Sequence, residues 1–188
     1  MTEAQTSKVK KRRKRLFFRT VILLVLVGAL AFALISNWMK DKTVIEVGDQ
    51  APNFQLMTTN GDDEETIRLS ELEGQGVMLN FWATYCKPCE QEMPFMENLY
   101  PEYKEKGIEI LAVSVDATEL VIDRFVDRYE LTFPVFHDKT GEVMRRYNVN
   151  RLPATLFIDE HGEVVEMITG GLTLDHLQEN LDQIVPQG

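Results

Sequence analysis

The sequence predicts an α/β domain, a mixed sheet with helices on both faces. Three observations carry this. Residues 77–82 and 108–115 are apolar runs, the second rich in β-branched residues, as strands buried on both faces require. Each is followed by a stretch with helical spacing, 88–103 and then 118–129, so strand and helix alternate. Residues 154–158 and 164–168 then form two more strands, turned by Asp159 to Gly162.

Ahead of this domain the charge is lopsided. Residues 1–19 hold eight of the chain's 20 Lys and Arg and one of its 30 Asp and Glu, so the remainder carries 12 against 29, a net of −17. So acidic a domain is a poor nucleic-acid binder, and no nucleic-acid partner is expected. The basic tail is better explained by its neighbour: residues 20–39 contain no charged residue, and 21–35 are almost purely aliphatic. Twenty helical residues reach about 30 Å, the thickness of a bilayer core, which predicts one transmembrane helix. The positive-inside rule keeps 1–19 in the cytoplasm and places 40–188 outside, with Trp38 at the outer interface. A cleaved signal peptide competes, because Ala31-Phe32-Ala33 resembles a small-x-small cleavage site. The apolar run continues past Ala33 to Ile35, which favours an uncleaved signal-anchor. Either way the domain lies outside the cytoplasm, where a reducing dithiol needs a dedicated electron donor.

Residues 40–47 read as a polar linker and 48–188 as the folded domain. GDQAPNF at 48–54 is an extended lead-in, followed by short strands at 55–57 and 66–69 that form a β-hairpin around Asn60-Gly61, with a solvated acidic tip at 62–65. One helical turn at 70–72 precedes Gly74 and Gly76, which release the chain into the central strand. In the helix from Pro88, that proline suits the first turn, whereas Pro94 lies deep enough to kink it. Gly107 ends the helix. The segment 118–129 is amphipathic through Leu120, Val121, Phe125 and Val126. A short strand at 133–136, a helix at 141–147 and a closing helix at 174–184 complete the domain.

The chemistry concentrates in FWATYCKPCEQEMP, residues 81–94, which holds the only two cysteines, Cys86 and Cys89. The pair falls at a strand-to-helix junction, so Cys86 sits at a helix N-terminus. Free backbone N–H groups and the positive end of the helix dipole there favour the thiolate, making Cys86 the attacking sulfur. Cys89, one turn on, is close enough to close a disulfide, is turned further toward the protein and is the resolving sulfur. Zinc would need two more ligands, and His137, His161 and His176 are scattered without metal-ligand spacing, so no metal is expected.

Trp82-Ala83-x-x-Cys86-x-Pro88-Cys89 with Pro94 resembles the thioredoxin-fold proteins, and Leu152-Pro153-Ala154-Thr155 resembles their cis-proline loop. Gly48-Asp49-x-Ala51-Pro52-x-Phe54, the extra N-terminal hairpin and Glu92-x-Pro94 are more particular. They resemble the membrane-anchored ResA and TlpA type of extracytoplasmic thiol-disulfide oxidoreductase. That resemblance implies a protein-disulfide reductase without metal or organic cofactor. It would be a monomer acting on the haem-site cysteines of apocytochrome c, in cytochrome c maturation, or on another disulfide-bearing envelope protein. A CcdA-like membrane thiol donor would re-reduce it. Carried over by position, Cys86 and Cys89 are the redox disulfide and Glu92 the active-site carboxylate. Pro153 is cis against the disulfide, and Trp82, Tyr85, Pro88, Leu152 and Pro153 form the substrate-binding surface. Glu92, three residues after Cys89, could carry the resolving thiol's proton, which the amide of Asn80 cannot.

Three departures from the pattern stand out. Tyr85 replaces a Trp, and Lys87 stands where a ResA-like pattern has an acid. A cation beside Cys86 should lower its pKa and make the disulfide more oxidising. Ala117 stands where that pattern can place a second carboxylate, with Asp116 beside it. The same residues could serve a disulfide oxidase or isomerase, or a non-catalytic metal-binding module of the same fold. The copper-delivery relatives resemble Cys-x-x-x-Cys, one residue longer than the spacing here, and the peroxidase branch needs a different Thr and Cys pattern.

Overall fold

The computed structural model describes residues 19–32, 45–59 and 66–187. The chain divides into two units, Met1–Thr43 and Val44–Gly188. In the first, residues 19–32 form helix α1, whose apolar side chains are exposed on all sides, Leu24 at 72% and Phe32 at 75%. Among the described residues no helix is long and apolar enough to cross a membrane. The last part of the expected span, 33–39, lies outside them, as do most of the tail and the linker.

The second unit is built on a five-stranded sheet ordered β5-β4-β3-β6-β7, formed by β3 (Gly76–Trp82), β4 (Ile108–Ser114), β5 (Val135–His137), β6 (Ala154–Ile158) and β7 (Val164–Thr169). β3 lies at its centre, parallel to β4 and antiparallel to β6, and β4 is parallel to β5. Between them run α2 (Lys87–Glu105), α3 (Glu119–Tyr129) and α4 (Glu142–Arg146), and α5 (Leu174–Gln183) closes the domain. β3 shows why the sheet needs two covered faces. All seven of its residues are buried, and alternate side chains go to opposite cores. Met78 and Trp82 join Met93, Met96, Tyr103, Phe125, Phe157 and Leu181 on the side of α2, α3 and α5. Val77, Leu79 and Phe81 join Phe54, Phe136, Val143, Tyr147 and Val164 on the other.

The expected mixed α/β architecture is present, with local detail that the sequence reading did not give. β1 (Gln55–Met57) and β2 (Thr66–Arg68) pair antiparallel as the expected hairpin, with residues 58–65 between them. The chain leaving β1 also pairs with the main sheet: Thr58 bridges to Phe136, and the Thr59 N–H donates to the Val135 carbonyl at 2.8 Å. Asn60, Gly61 and the acidic tip lie outside the described residues. The strand expected at 133–136 begins at Val135, because Pro134 has no N–H for the ladder; its carbonyl still accepts from Ala112 at 3.0 Å. α2 runs uninterrupted through Pro94 and also through Pro101. Its inner side, Met93, Met96, Leu99, Tyr100 and Tyr103, is buried along the sheet, and that burial holds a helix with two missing donors.

Candidate active site

β3 ends at Trp82, and three residues, 83–85, carry the chain to Cys86, the N-cap of α2. Lys87 and Pro88 open the helix, where the absent proline N–H would have had no helical partner. Cys86 and Cys89 form a disulfide with Cα atoms 5.3 Å apart. Cys86 is half-buried and its Sγ accepts the Cys89 N–H at 3.4 Å, while Cys89 is fully buried. The expected asymmetry is present: one sulfur near the surface under a backbone donor, the other enclosed.

Glu92 is 1% exposed, behind the pair on the helix face that meets the sheet. Its Oε1 accepts from Asn80 Nδ2 at 2.9 Å and its Oε2 from the Leu172 N–H at 3.0 Å. Asn80 also donates to Thr155 Oγ1 at 3.0 Å, and Asn80 and Thr155 are register partners on β3 and β6. Burial pushes the Glu92 carboxyl up to about 7, the two hydrogen bonds working against it. Among the described residues no cation is one of its partners. The loop bearing Leu172 approaches closely: a Cβ at Gly171 would lie 3.2 Å from that of Pro88, so a side chain there would push away the backbone donor that Glu92 uses.

On the other side of the cysteine loop sits a second buried carboxylate. Asp116, 4% exposed, accepts from the Thr84 N–H at 2.8 Å, from Thr84 Oγ1 at 2.7 Å and from Ser114 Oγ at 2.9 Å. An acid at a strand end is ordinarily solvated; this one anchors the loop two residues before Cys86. His137, its side chain 4% exposed, places Nε2 2.9 Å from the Asp116 carbonyl, which can only accept, so Nε2 carries the hydrogen. Ala117 beside it is exposed.

Two sequence expectations change. Trp82 is fully buried with its ring 4.7 Å from that of Phe125, so it supports the site from beneath and does not present a substrate-binding surface. A β3 side chain on this face can only point into the core. Lys87 does not stand as a free cation beside Cys86: its Nζ lies 2.6 Å from Glu90 Oε2, and Tyr129 donates to the other Glu90 oxygen at 2.5 Å. Those bonds hold the Glu90 carboxyl below, and the Lys87 amine above, their ordinary ranges, so much of the charge is neutralised locally. Tyr85, by contrast, is 74% exposed, Pro88 is exposed, and Leu152 is half-buried beside the pair's core cluster. The Leu152-Pro153 bond is cis and Pro153 itself is buried. Asp116, Thr84, Thr155 and Leu172 reach their partners across 32 to 80 positions of sequence, with no local pattern to announce them.

The profile of the AhpC/TSA family matches residues 47–167. The thiol-disulfide oxidoreductase ResA of Oceanobacillus iheyensis is 55% identical over 184 residues, 97% of this chain and 96% of the relative. The ResA of Geobacillus kaustophilus is 46% identical over 176 residues, 94% of this chain and 99% of the relative. Among solved structures, a Chlorobium tepidum protein assigned as a thiol:disulfide interchange protein DsbE superposes with a TM-score of 0.69 at 31% identity. That match spans 75% of this chain and 99% of the other.

Proposed function

The chain belongs to the AhpC/TSA family and, within it, to the ResA-like thiol-disulfide oxidoreductases, and from that premise we propose that it reduces protein disulfides on the outer side of a membrane. The observation that carries the reading is the pairing of a half-exposed N-cap sulfur, Cys86, with a buried sulfur, Cys89, and a buried carboxyl three residues on that titrates near 7. In the reduced protein the Cys86 thiolate attacks one sulfur of a substrate disulfide. That S–S bond breaks, a Cys86–substrate bond forms, and the second substrate sulfur leaves as a thiolate that takes a proton from solvent. Glu92 accepts the proton of the Cys89 thiol; the Cys89 thiolate then attacks Cys86 and expels the other substrate sulfur, which is protonated in turn. Two electrons pass from the dithiol to the substrate, and the 86–89 disulfide remains.

Tyr85, Pro88 and Leu152, with the backbone at Pro153, receive the substrate as an extended strand. The substrates are the haem-site cysteines of apocytochrome c, in cytochrome c maturation, or another disulfide-bearing envelope protein. A CcdA-like thiol donor in the membrane restores the dithiol. Residues 20–39 anchor a monomer by a single span, with 1–19 in the cytoplasm, 40–47 as the linker and 48–188 outside. The uncharged run and the basic tail support that topology.

The reduction potential of the Cys86–Cys89 pair tests the direction. Equilibrated against a redox buffer, a midpoint well below about −230 mV is expected of a dedicated reductant. A value near −120 mV would identify an oxidant using the same residues and would end the reductant reading.

A further inference from the structure

Beside the cysteine loop, between α2 and α3, runs a cleft lined by Thr84, Glu90, Val121, Arg124, Phe125 and Arg128. Two of its lining residues flank the cysteine pair in sequence, Thr84 two residues before Cys86 and Glu90 one residue after Cys89. The two arginines, one helical turn apart on α3, are exposed, and no ion pair joins either to an acid among the described residues. The acid that shares the cleft, Glu90, is already held by Lys87 and Tyr129. The Thr84 hydroxyl is likewise committed to Asp116. Two guanidinium groups that make no ion-pair contact among the described residues, Arg128 adding to the field that lowers Glu90, thus line a cleft beside the cysteine loop of a unit whose charge is otherwise strongly negative.

Resting on the reading of Cys86 as the sulfur that attacks polypeptide disulfides, we propose that Arg124 and Arg128 form a specificity subsite for an acidic side chain a few residues from the substrate cysteine. Guanidinium groups take carboxylates in two-pronged hydrogen bonds, and a pair spaced one turn apart presents donors to both carboxylate oxygens. Val121 and Phe125 supply an apolar wall for the methylenes of the incoming side chain. The domain's overall negative charge repels acidic polypeptides at a distance. The cleft reverses that locally, so it selects where on such a polypeptide the cysteine loop settles.

The test uses the full chain, pre-reduced, in single-turnover reactions with two synthetic cystine peptides that differ only in a Glu or a Lys three residues from the cystine. The readout is the ratio of their second-order rate constants within each protein. In wild type the Glu peptide should react about tenfold faster at low salt, with the ratio shrinking as salt is raised. Arg124→Gln/Arg128→Gln should bring the ratio to about one and Arg124→Glu/Arg128→Glu should invert it. Because each ratio is internal to one protein, a loss of folded fraction cancels. A wild-type ratio of one, or a preference that neither double variant moves, overturns the subsite while leaving thiol-disulfide exchange standing. If the pre-reduced wild type reduces neither peptide, the reading on which the subsite rests has failed.

Discussion

Two buried carboxylates flank the cysteine loop, and they are held differently. Asp116 lies under the approach to Cys86 and takes three donors, two of them from Thr84. Glu92 lies behind Cys89 and takes two, from Asn80 and the Leu172 N–H, and there burial outweighs the hydrogen bonds so that the carboxyl titrates near 7. Donors that fully satisfy a buried carboxylate make it an anchor; one donor fewer, with no cation nearby, leaves a group able to gain and lose a proton at neutral pH. The protein therefore keeps one acid to fix geometry and the other for chemistry.

The strongest way to break this contrast is to remove the proton carrier while keeping its shape. Glu92→Gln should slow disulfide reduction by about 100-fold and erase the ionisation near 7 from the pH profile, read in steady-state assays between pH 5 and 9. If rate and profile survive, Glu92 is a structural residue like Asp116. The same substitution sharpens the contrast through stability. A carboxyl raised from 4.5 to about 7 on folding keeps its proton in the native state over that window, so native stability falls as pH rises from 4.5 through 7 and levels off above. The difference corresponds to about 3 kcal/mol at most. Glu92→Gln should therefore be more stable than wild type at pH 8 and no more stable at pH 4, by urea unfolding.

Next in size, Asp116→Ala strands three donors, two of which lose their only partner, and should cost about 2–4 kcal/mol in the same unfolding experiment. Asn80→Leu removes a donor from Glu92 and makes it still less like Asp116. The ionisation near 7 should move up, seen in the pH dependence of Cys89 alkylation in a Cys86→Ser background. The smallest effect is expected at Lys87. Because Glu90 already takes much of its charge, Lys87→Glu should raise the midpoint of Cys86 alkylation by only about half a pH unit. A shift of more than about one unit would mean that Lys87 acts on Cys86 directly.

Much of the fold was legible in the sequence because its signals are local. The apolar runs at 77–82 and 108–115, the helical spacing of 118–129 and the turn at 159–162 each lie within about a dozen residues and depend on backbone geometry that neighbours impose. The reactive pair was legible for the same reason: a three-residue spacing on a helix N-terminus fixes which sulfur is exposed and which is enclosed. Where the reading missed, the deciding partner was remote. The sequence reading did not foresee that β5, nearly eighty residues on, captures the chain leaving β1 at Thr58 and Thr59.

The sequence by itself determined the α/β class, the redox pair and the candidacy of Glu92, since these follow from composition, spacing and resemblance. Only the tertiary structure decided that Trp82 faces the core, that Tyr129 holds Glu90, that Asp116 is an anchor and that Glu92 has two donors among the described residues. Those properties belong to the space around a side chain. What fills that space comes from β6, from the loop before α5 and from α3, brought together by burial of two apolar faces that name no partner in advance.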